Sequence, residues 1–97
     1  MENIANIANK SALLEQYREI KKKYPDYLLM FSTGDFYLCF NEDAETASET
    51  LKLPLFERPQ KELSKITGFN FSMFYSSLIN LMKKGYKIAV CDRMVKY

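Results

Sequence analysis

The segment that decides the fold is residues 27–40, which read YLLMFSTGDFYLCF. Its first part, residues 27–31, is an uninterrupted apolar run of strand length, typical of a strand covered on both faces of a sheet. Residues 32–35 carry turn chemistry, and Gly34 can adopt a positive φ there. Residues 36–40 read as a second strand, whose even-numbered and odd-numbered side chains lie on opposite faces. The segment therefore predicts a β-hairpin within a sheet.

Helices are predicted on both sides of this hairpin. Before it, Ser11 can cap a helix whose apolar residues recur at helical spacing, and Pro25 ends that helix. After it, Asn41 can cap a second helix, which Pro54 ends. The inner face of this second helix carries alanines, so we expect it to approach the sheet closely.

The second half of the chain predicts two more strands around a third helix. Residues 65–71 alternate well enough for a strand, and residues 86–91 read as the last strand. Between them, Ser72 can cap a helix that two lysines and Gly85 close. The order of elements predicts an α+β domain, with a mixed β-sheet packed by helices.

The length of the chain limits its organisation. Ninety-seven residues suffice for one domain with a single modest core. We expect residues 1–10 to be a flexible lead-in and residues 11–97 to be the folded domain. No apolar run reaches the roughly 18 residues of a membrane span, and the amino terminus lacks the blocks of a signal peptide. We therefore expect a cytoplasmic protein with no membrane partner.

The residue inventory argues against an enzyme. Histidine is absent, which removes the commonest general base and the commonest metal ligand. Cys39 and Cys91 cannot form a four-thiolate site, and both are expected to be reduced. The three glycines, Gly34, Gly68 and Gly85, are isolated, so no phosphate-binding loop is present. We expect a non-catalytic binding module with no cofactor and no metal.

Charge is divided unequally along the chain. Residues 1–50 carry five basic and nine acidic side chains, a net charge of −4. Residues 51–97 carry nine basic and three acidic side chains, a net charge of +6. A basic half is compatible with a polyanionic partner such as nucleic acid, although solvated protein surfaces often show the same asymmetry.

A wider set of residues carries a family resemblance. In chain order, the residues are Tyr17, Ile20, Tyr24, Pro25, Asp26, Leu28, Leu29, Phe31, Gly34, Asp35, Phe36, Tyr37, Phe40, Glu42, Asp43, Ala44, Ala47, Ser48, Arg58, Gly68, Leu81 and the run from Lys84 to Cys91. Together they cover the chain from Leu13 to Asp92. In order and spacing this pattern resembles the amino-terminal mismatch-recognition domain (domain I) of the MutS family of DNA mismatch repair proteins.

The resemblance implies which residues contact DNA. In the family, the Phe of a Gly-Asp-Phe-Tyr-Glu segment enters the minor groove and stacks on a mispaired base, and the Glu bonds to that base. Phe36 stands in the wedge position, whereas Leu38, which cannot accept a hydrogen bond, replaces the Glu. An apolar wedge kinks the duplex, which costs least at a mispaired step. With basic residues expected to contact phosphates, the predicted DNA-binding residues are Phe36, Leu38, Arg58, Lys61 and Lys65.

Two functions remain open at the level of the sequence. The first is a non-catalytic, DNA-contacting domain of mismatch-recognition type, which binds double-stranded DNA weakly in isolation. It would act with other domains or subunits of a larger, ATP-dependent, MutS-like repair protein. The second is a protein-interaction or scaffold module that reuses the MutS amino-terminal fold, for example in a mobile-element protein. The two differ at Phe36, which is an exposed wedge in the first and a core or partner contact in the second.

Overall fold

The structure, a computed structural model, describes residues 11–58 and 62–91. The lead-in expected at residues 1–10 lies outside this range. Three helices and five strands follow one another along the described chain: α1 (Ser11–Lys23), β1 (Leu28–Ser32), β2 (Phe36–Phe40), α2 (Asn41–Leu51), β3 (Phe56–Glu57), β4 (Lys65–Asn70), α3 (Phe74–Lys83) and β5 (Ile88–Cys91). A 3₁₀ turn at Phe71–Met73 leads into α3. No helix in the described parts of the chain is long and apolar enough to cross a membrane.

The strands form one mixed sheet in the order β3-β4-β2-β1-β5. Strand β1 is antiparallel to β2 and parallel to β5, while β4 is antiparallel to both β2 and β3. The hairpin predicted from residues 27–40 is thus confirmed, and Gly34 at its turn has a φ of 103°. The α+β class and the mixed sheet packed by helices are confirmed as well.

The two faces of the sheet bury separate apolar clusters, because side chains alternate along each strand. Helix α1 covers the first face, where Tyr17 packs beside Phe40 and donates a hydrogen bond to its carbonyl at 3.4 Å. Helices α2 and α3 cover the second face. The first cluster contains Tyr17, Leu29, Phe31, Leu38, Phe40, Leu63 and Ile66. The second contains Leu28, Met30, Tyr37, Cys39, Ala44, Ala47, Phe69 and Leu81.

A buried ion pair ties three elements together. Asp43, in the first turn of α2, accepts hydrogen bonds from Lys21 Nζ of α1 and from the backbone N–H of Leu29 in β1, each at 3.1 Å. Lys21 Nζ also donates to the carbonyl of Tyr27 at 2.7 Å. Every polar atom of the carboxylate therefore has a partner, which a buried charge requires.

The caps of the second and third helices differ from those expected. Asn41 is not the cap of α2, because its side chain turns to the segment before β4, accepting from the N–H of Ser64 and donating to the carbonyl of Glu62, each at 3.1 Å. Ser72 is not the cap of the last helix either. Met73 occupies that position without a side-chain cap, and Asn70 caps the preceding 3₁₀ turn, where its side-chain oxygen accepts from the N–H of Ser72 at 3.2 Å.

Candidate nucleic-acid interface

Phe36 is the first residue of β2 and lies directly opposite Asn70 of β4. Its backbone carbonyl accepts hydrogen bonds from the N–H and the hydroxyl of Thr33, which closes the hairpin turn. The side chain is half-buried and packs against the apolar cluster that α1 covers. Phe36 is therefore neither a free wedge nor a fully enclosed core residue.

Leu38 is enclosed completely. It lies on the same face of β2 as Phe36, opposite Phe31 of β1 and Gly68 of β4, and its exposed fraction is 0%. Because strands flank it on both sides and α1 lies over its face, its side chain has no surface to offer a ligand. The sequence analysis predicted that Leu38 contacts DNA, whereas in this structure Leu38 is part of the core.

Two of the three predicted phosphate contacts already have partners within the domain. Lys65 Nζ forms an ion pair with Glu45 Oε2 at 2.8 Å, and Glu57 lies opposite Lys65 across the β3–β4 ladder. The hydrogen bond that Lys65 donates to Glu45 raises the pKa of Lys65 above its usual value. Arg58 donates from its guanidinium to the carbonyl of Leu63 at 3.0 Å. Lys61 lies outside the described residues.

The predicted site residues are not brought together. Lys65 and Asn70 are the two ends of the six-residue strand β4, so Phe36, opposite Asn70, is roughly 16 Å from Lys65 along the sheet. They also lie on different faces, because Phe36 packs on the α1 side and Lys65 pairs with a residue of α2. A single contact surface cannot use both residues side by side.

A second aromatic residue lies at the same end of the sheet as Phe36. Phe71 follows Asn70 directly, is 62% exposed, and donates its backbone N–H to the carbonyl of Asp35 at 2.9 Å. One side of its ring stacks on Tyr37, with centroids 6.3 Å apart and planes inclined by 23°. We call this surface the hairpin end; it consists of residues 33–36 and 70–72.

The sequence reasoning did not single out Phe71 as a contact. The available signal was an aromatic residue just beyond the end of an alternating strand, between two polar residues. That pattern alone is equally typical of a buried strand end. The cross-strand register, which places Asn70 opposite Phe36, shows that Phe71 and the hairpin turn lie at the same end of the sheet.

Two further features concern metal-ligating side chains and cysteines in the described parts of the chain. Among residues 11–58 and 62–91, no three His, Cys, Asp or Glu side chains lie close enough together to hold a metal ion. Burial raises the pKa of the Cys39 thiol far above its usual value, and it also raises the pKa of Cys91. Neither cysteine is therefore activated as a nucleophile, because the thiolate is the reactive form.

Comparison with known proteins identifies the family. The family model for MutS domain I matches residues 11–96. The DNA mismatch repair protein MutS of Chlorobium chlorochromatii is 43% identical over 84 residues, covering 87% of this chain and 9% of that protein. The MutS proteins of Thermus aquaticus and Flavobacterium johnsoniae are 41% and 39% identical, covering 84% and 91% of this chain and 10% of each relative.

The resemblance read from the sequence is thus confirmed, and the chain spans about a tenth of the length of the curated relatives it matches. The matched region contains every described helix and strand, together with the hairpin end. The chain belongs to the MutS domain I family.

Proposed function

We propose that this chain is a non-catalytic DNA-contacting domain of mismatch-recognition type, and that the hairpin end is the surface that meets the duplex. Relatives named DNA mismatch repair proteins support the class of partner. The observation that carries the proposal is that half-buried Phe36 and exposed Phe71 lie at the same end of the sheet, one towards each of its faces. A domain with this role must be located where the DNA is. We therefore include the cytoplasmic location expected from the sequence in the same proposal.

The proposed contact uses stacking and shape. Aromatic side chains at a duplex minor groove can enter a base step, partly unstack it and bend the helix, and a weakened step resists this least. Leu38 is enclosed and carries no acceptor, so the domain has no carboxylate there to bond a mispaired base. We therefore expect the domain to bind more tightly to duplexes that deform easily, whatever the identity of the mispaired base.

The charges of the site limit its affinity. Lys65 pairs with Glu45, and Arg58 with a carbonyl, so a phosphate would have to compete with these partners. Few phosphate contacts give weak binding with a shallow dependence on salt. The domain therefore contributes selectivity to a larger protein, and we place any ATP hydrolysis in another part of that protein.

The test measures binding of the 97-residue chain to two fluorescent duplexes by anisotropy at low salt. One duplex is fully matched and the other contains a single unpaired thymidine. We expect tighter binding to the second, and we expect Phe36→Ala and Phe71→Ala each to weaken it roughly tenfold, since base stacking contributes about 1–3 kcal/mol.

Phe56→Ala is the matched control, because Phe56 is an exposed phenylalanine on β3, at the opposite edge strand of the sheet. It should leave both affinities unchanged. Equal affinity of the unaltered chain for the two duplexes would contradict the proposal, as would equal damage from Phe56→Ala. Circular dichroism at the assay temperature confirms that each variant is folded.

A specific observation favours a second candidate function, a protein-interaction module. Three large apolar side chains on α3, those of Tyr75, Ile79 and Met82, are each more than half exposed. Exposed apolar groups that share one surface are typical of interaction sites. This candidate does not exclude the first, because the hairpin end and these three residues are separate surfaces.

A further inference from the structure

Helix α3 has an apolar surface that is wider than the part the core covers. Phe74, Ser77 and Leu81 face inward, and Ser77 and Leu81 are buried. Tyr75, Ile79 and Met82 have the i, i+4, i+7 spacing of a second stripe, and their exposed fractions are 73%, 51% and 59%. We call this second stripe the α3 flank.

The α3 flank lies on the side of the helix away from the core. At about 100° per residue, Ser77 and the α3 flank are on opposite sides of the helix axis. Ser77 is 2% exposed, and Leu81, on the same side as Ser77, is 0% exposed. The α3 flank is therefore the outward face of α3.

Lysine is the only charged residue type in the stretch of sequence that contains the α3 flank. Residues 63–91 contain four lysines and no acidic residue. Lys83 is one turn beyond Ile79 on the same side of the helix, and Lys84 follows it. Both lysines are exposed, and neither makes an ion pair with another described residue. An apolar strip with an unneutralised cationic end is complementary to an apolar strip flanked by carboxylates.

The apolar strip and its cationic end together distinguish among three possible binding partners. A second copy packed antiparallel through the same surface would bury the apolar strip but would leave Lys83 and Lys84 of each copy without a carboxylate, so it satisfies only one of the two features. A single-stranded nucleic acid would satisfy the lysines, but Tyr75 is the one aromatic ring of the α3 flank, and Ile79 and Met82 offer none for stacking successive bases. An acidic amphipathic helix satisfies both features, because its apolar residues recur at the spacing of the α3 flank.

We propose that the α3 flank is a docking site for an acidic amphipathic helix of a partner protein. The site is separate from the hairpin end, so it gives the protein-interaction function a partner of stated chemistry and does not depend on DNA contact. Binding would add a helix beside α3, bury the three exposed apolar side chains and neutralise the lysines at the carboxyl end of the helix.

The experiment is an NMR titration of the ¹⁵N-labelled 97-residue chain with synthetic probes. The main probe is a peptide of about 18 residues, five helical turns, with leucines on one face and glutamates on the other. Two peptide controls are a scrambled peptide of the same composition and a peptide with lysine in place of glutamate. A thymidine oligonucleotide of about 15 nucleotides tests the nucleic-acid alternative.

We expect only the acidic amphipathic peptide to give saturable shifts, centred on the amides of α3. Ile79→Ser, and separately the double variant Lys83→Glu with Lys84→Glu, should each weaken binding about tenfold or more, a loss of ~1.4 kcal/mol or more. The matched control is Phe56→Ser, which removes an exposed apolar side chain elsewhere and should change nothing. Phe36→Ala should also bind the peptide normally, which separates this result from the DNA test.

Four results would overturn the proposal. They are the absence of saturable shifts, equal binding of the scrambled peptide, tighter binding of the oligonucleotide to the same amides, and self-association of the free chain that Ile79→Ser abolishes. Because each variant alters an exposed side chain, its own spectrum shows whether the fold is intact before any peptide is added.

Discussion

At the scale of single residues, position 38 separates this chain from the family pattern that it otherwise follows. The resemblance assigns a carboxylate to that position, and this chain has a leucine with an exposed fraction of 0%. The neighbouring side chain on the same face, Phe36, retains part of its exposure because it is the first residue of the strand. The core therefore extends along β2 as far as Leu38, which is two residues from Phe36 at the hairpin end.

The burial of Leu38 predicts a large loss of stability when a charge replaces it. Leu38→Glu should lower the free energy of unfolding by about 3–5 kcal/mol, because the carboxylate would be buried without a partner. Val90→Glu, at a position 46% exposed on β5, should cost less than about 1 kcal/mol. Urea unfolding followed by circular dichroism gives both values.

Leu38→Met is the volume-conserving control for the same site, with an expected cost below about 1.5 kcal/mol. If Leu38→Glu instead folded as stably as the unaltered chain, position 38 would have to be open to water. In that case the side chain would be available at the hairpin end, and its place in the core would be wrong.

At the scale of elements, the sequence predicts best where one pattern determines the structure. The period-two alternation of residues 36–40 and the proline at position 25 act locally, and the corresponding strand and helix end were both predicted correctly. The cap of α2 was not, because Asn41 has a choice of partners and the loop before β4 supplies the ones it uses. Such choices depend on tertiary structure.

The candidate site was predictable only in part for the same reason. Sequence pattern placed Phe36 at a hairpin, but only the helix that covers its face decides how much of the ring is exposed. Lys65 looked like a free cation because Glu45, its partner, belongs to a different element. Exposure and charge pairing are properties of the assembled sheet, so a linear pattern cannot report them.

The end of α2 provides a prediction at this scale. Lys52 follows the helix with φ 57° and ψ 48°, a left-handed conformation that a non-glycine residue adopts at a cost of about 1–2 kcal/mol. Lys52→Gly removes that cost and should raise the free energy of unfolding by roughly 0.5–1 kcal/mol after the entropy of glycine is subtracted.

Lys84 at the end of α3 is the matched control, since its φ of −84° is right-handed. Lys84→Gly should therefore lower stability by roughly 0.5–1 kcal/mol. Thermal or urea unfolding of the two variants should give changes of opposite sign. Changes of the same sign would mean that the conformation at Lys52 carries no strain.

At the scale of the whole molecule, stability is distributed between two apolar clusters and a single charged connection. The pair Lys21–Asp43 links α1, the central strand β1 and α2, so it spans both sides of the sheet. Its side chains are 27% and 10% exposed, which makes it the most enclosed ion pair in the described parts of the chain. The two layers of helices are therefore coupled through one carboxylate.

This carboxylate should make stability depend on pH. Desolvation is the largest cause that raises the pKa of Asp43 above its ordinary 3.8, although bonds from Leu29 and Lys21 oppose it. Between the ordinary and the raised pKa the folded state then binds more protons than the unfolded state, so stability should fall as pH rises through that window.

Asp43→Asn removes this titration. Relative to the variant, the unaltered chain should lose stability as the pH is raised from about 4 towards neutrality, a range that begins at the ordinary pKa of an aspartate. Urea unfolding of both chains across this range measures the difference. Parallel profiles would contradict the prediction, and a relative gain of stability with rising pH would show that the pKa is lowered rather than raised.

The parallel pairing of β1 with β5 has a consequence for the synthesis of the protein. Leu28, Leu29, Met30 and Phe31 form the first strand to be made, yet their partners on that edge, residues 88–91, are made after every other strand of the described sheet. During translation the nascent chain must carry an apolar strand with one open edge, the kind of segment that associates with other chains or is held by chaperones. Only when β5 has left the ribosome is β1 paired on both edges, and the outer edge of the sheet then passes from the buried strand β1 to the partly exposed strand β5.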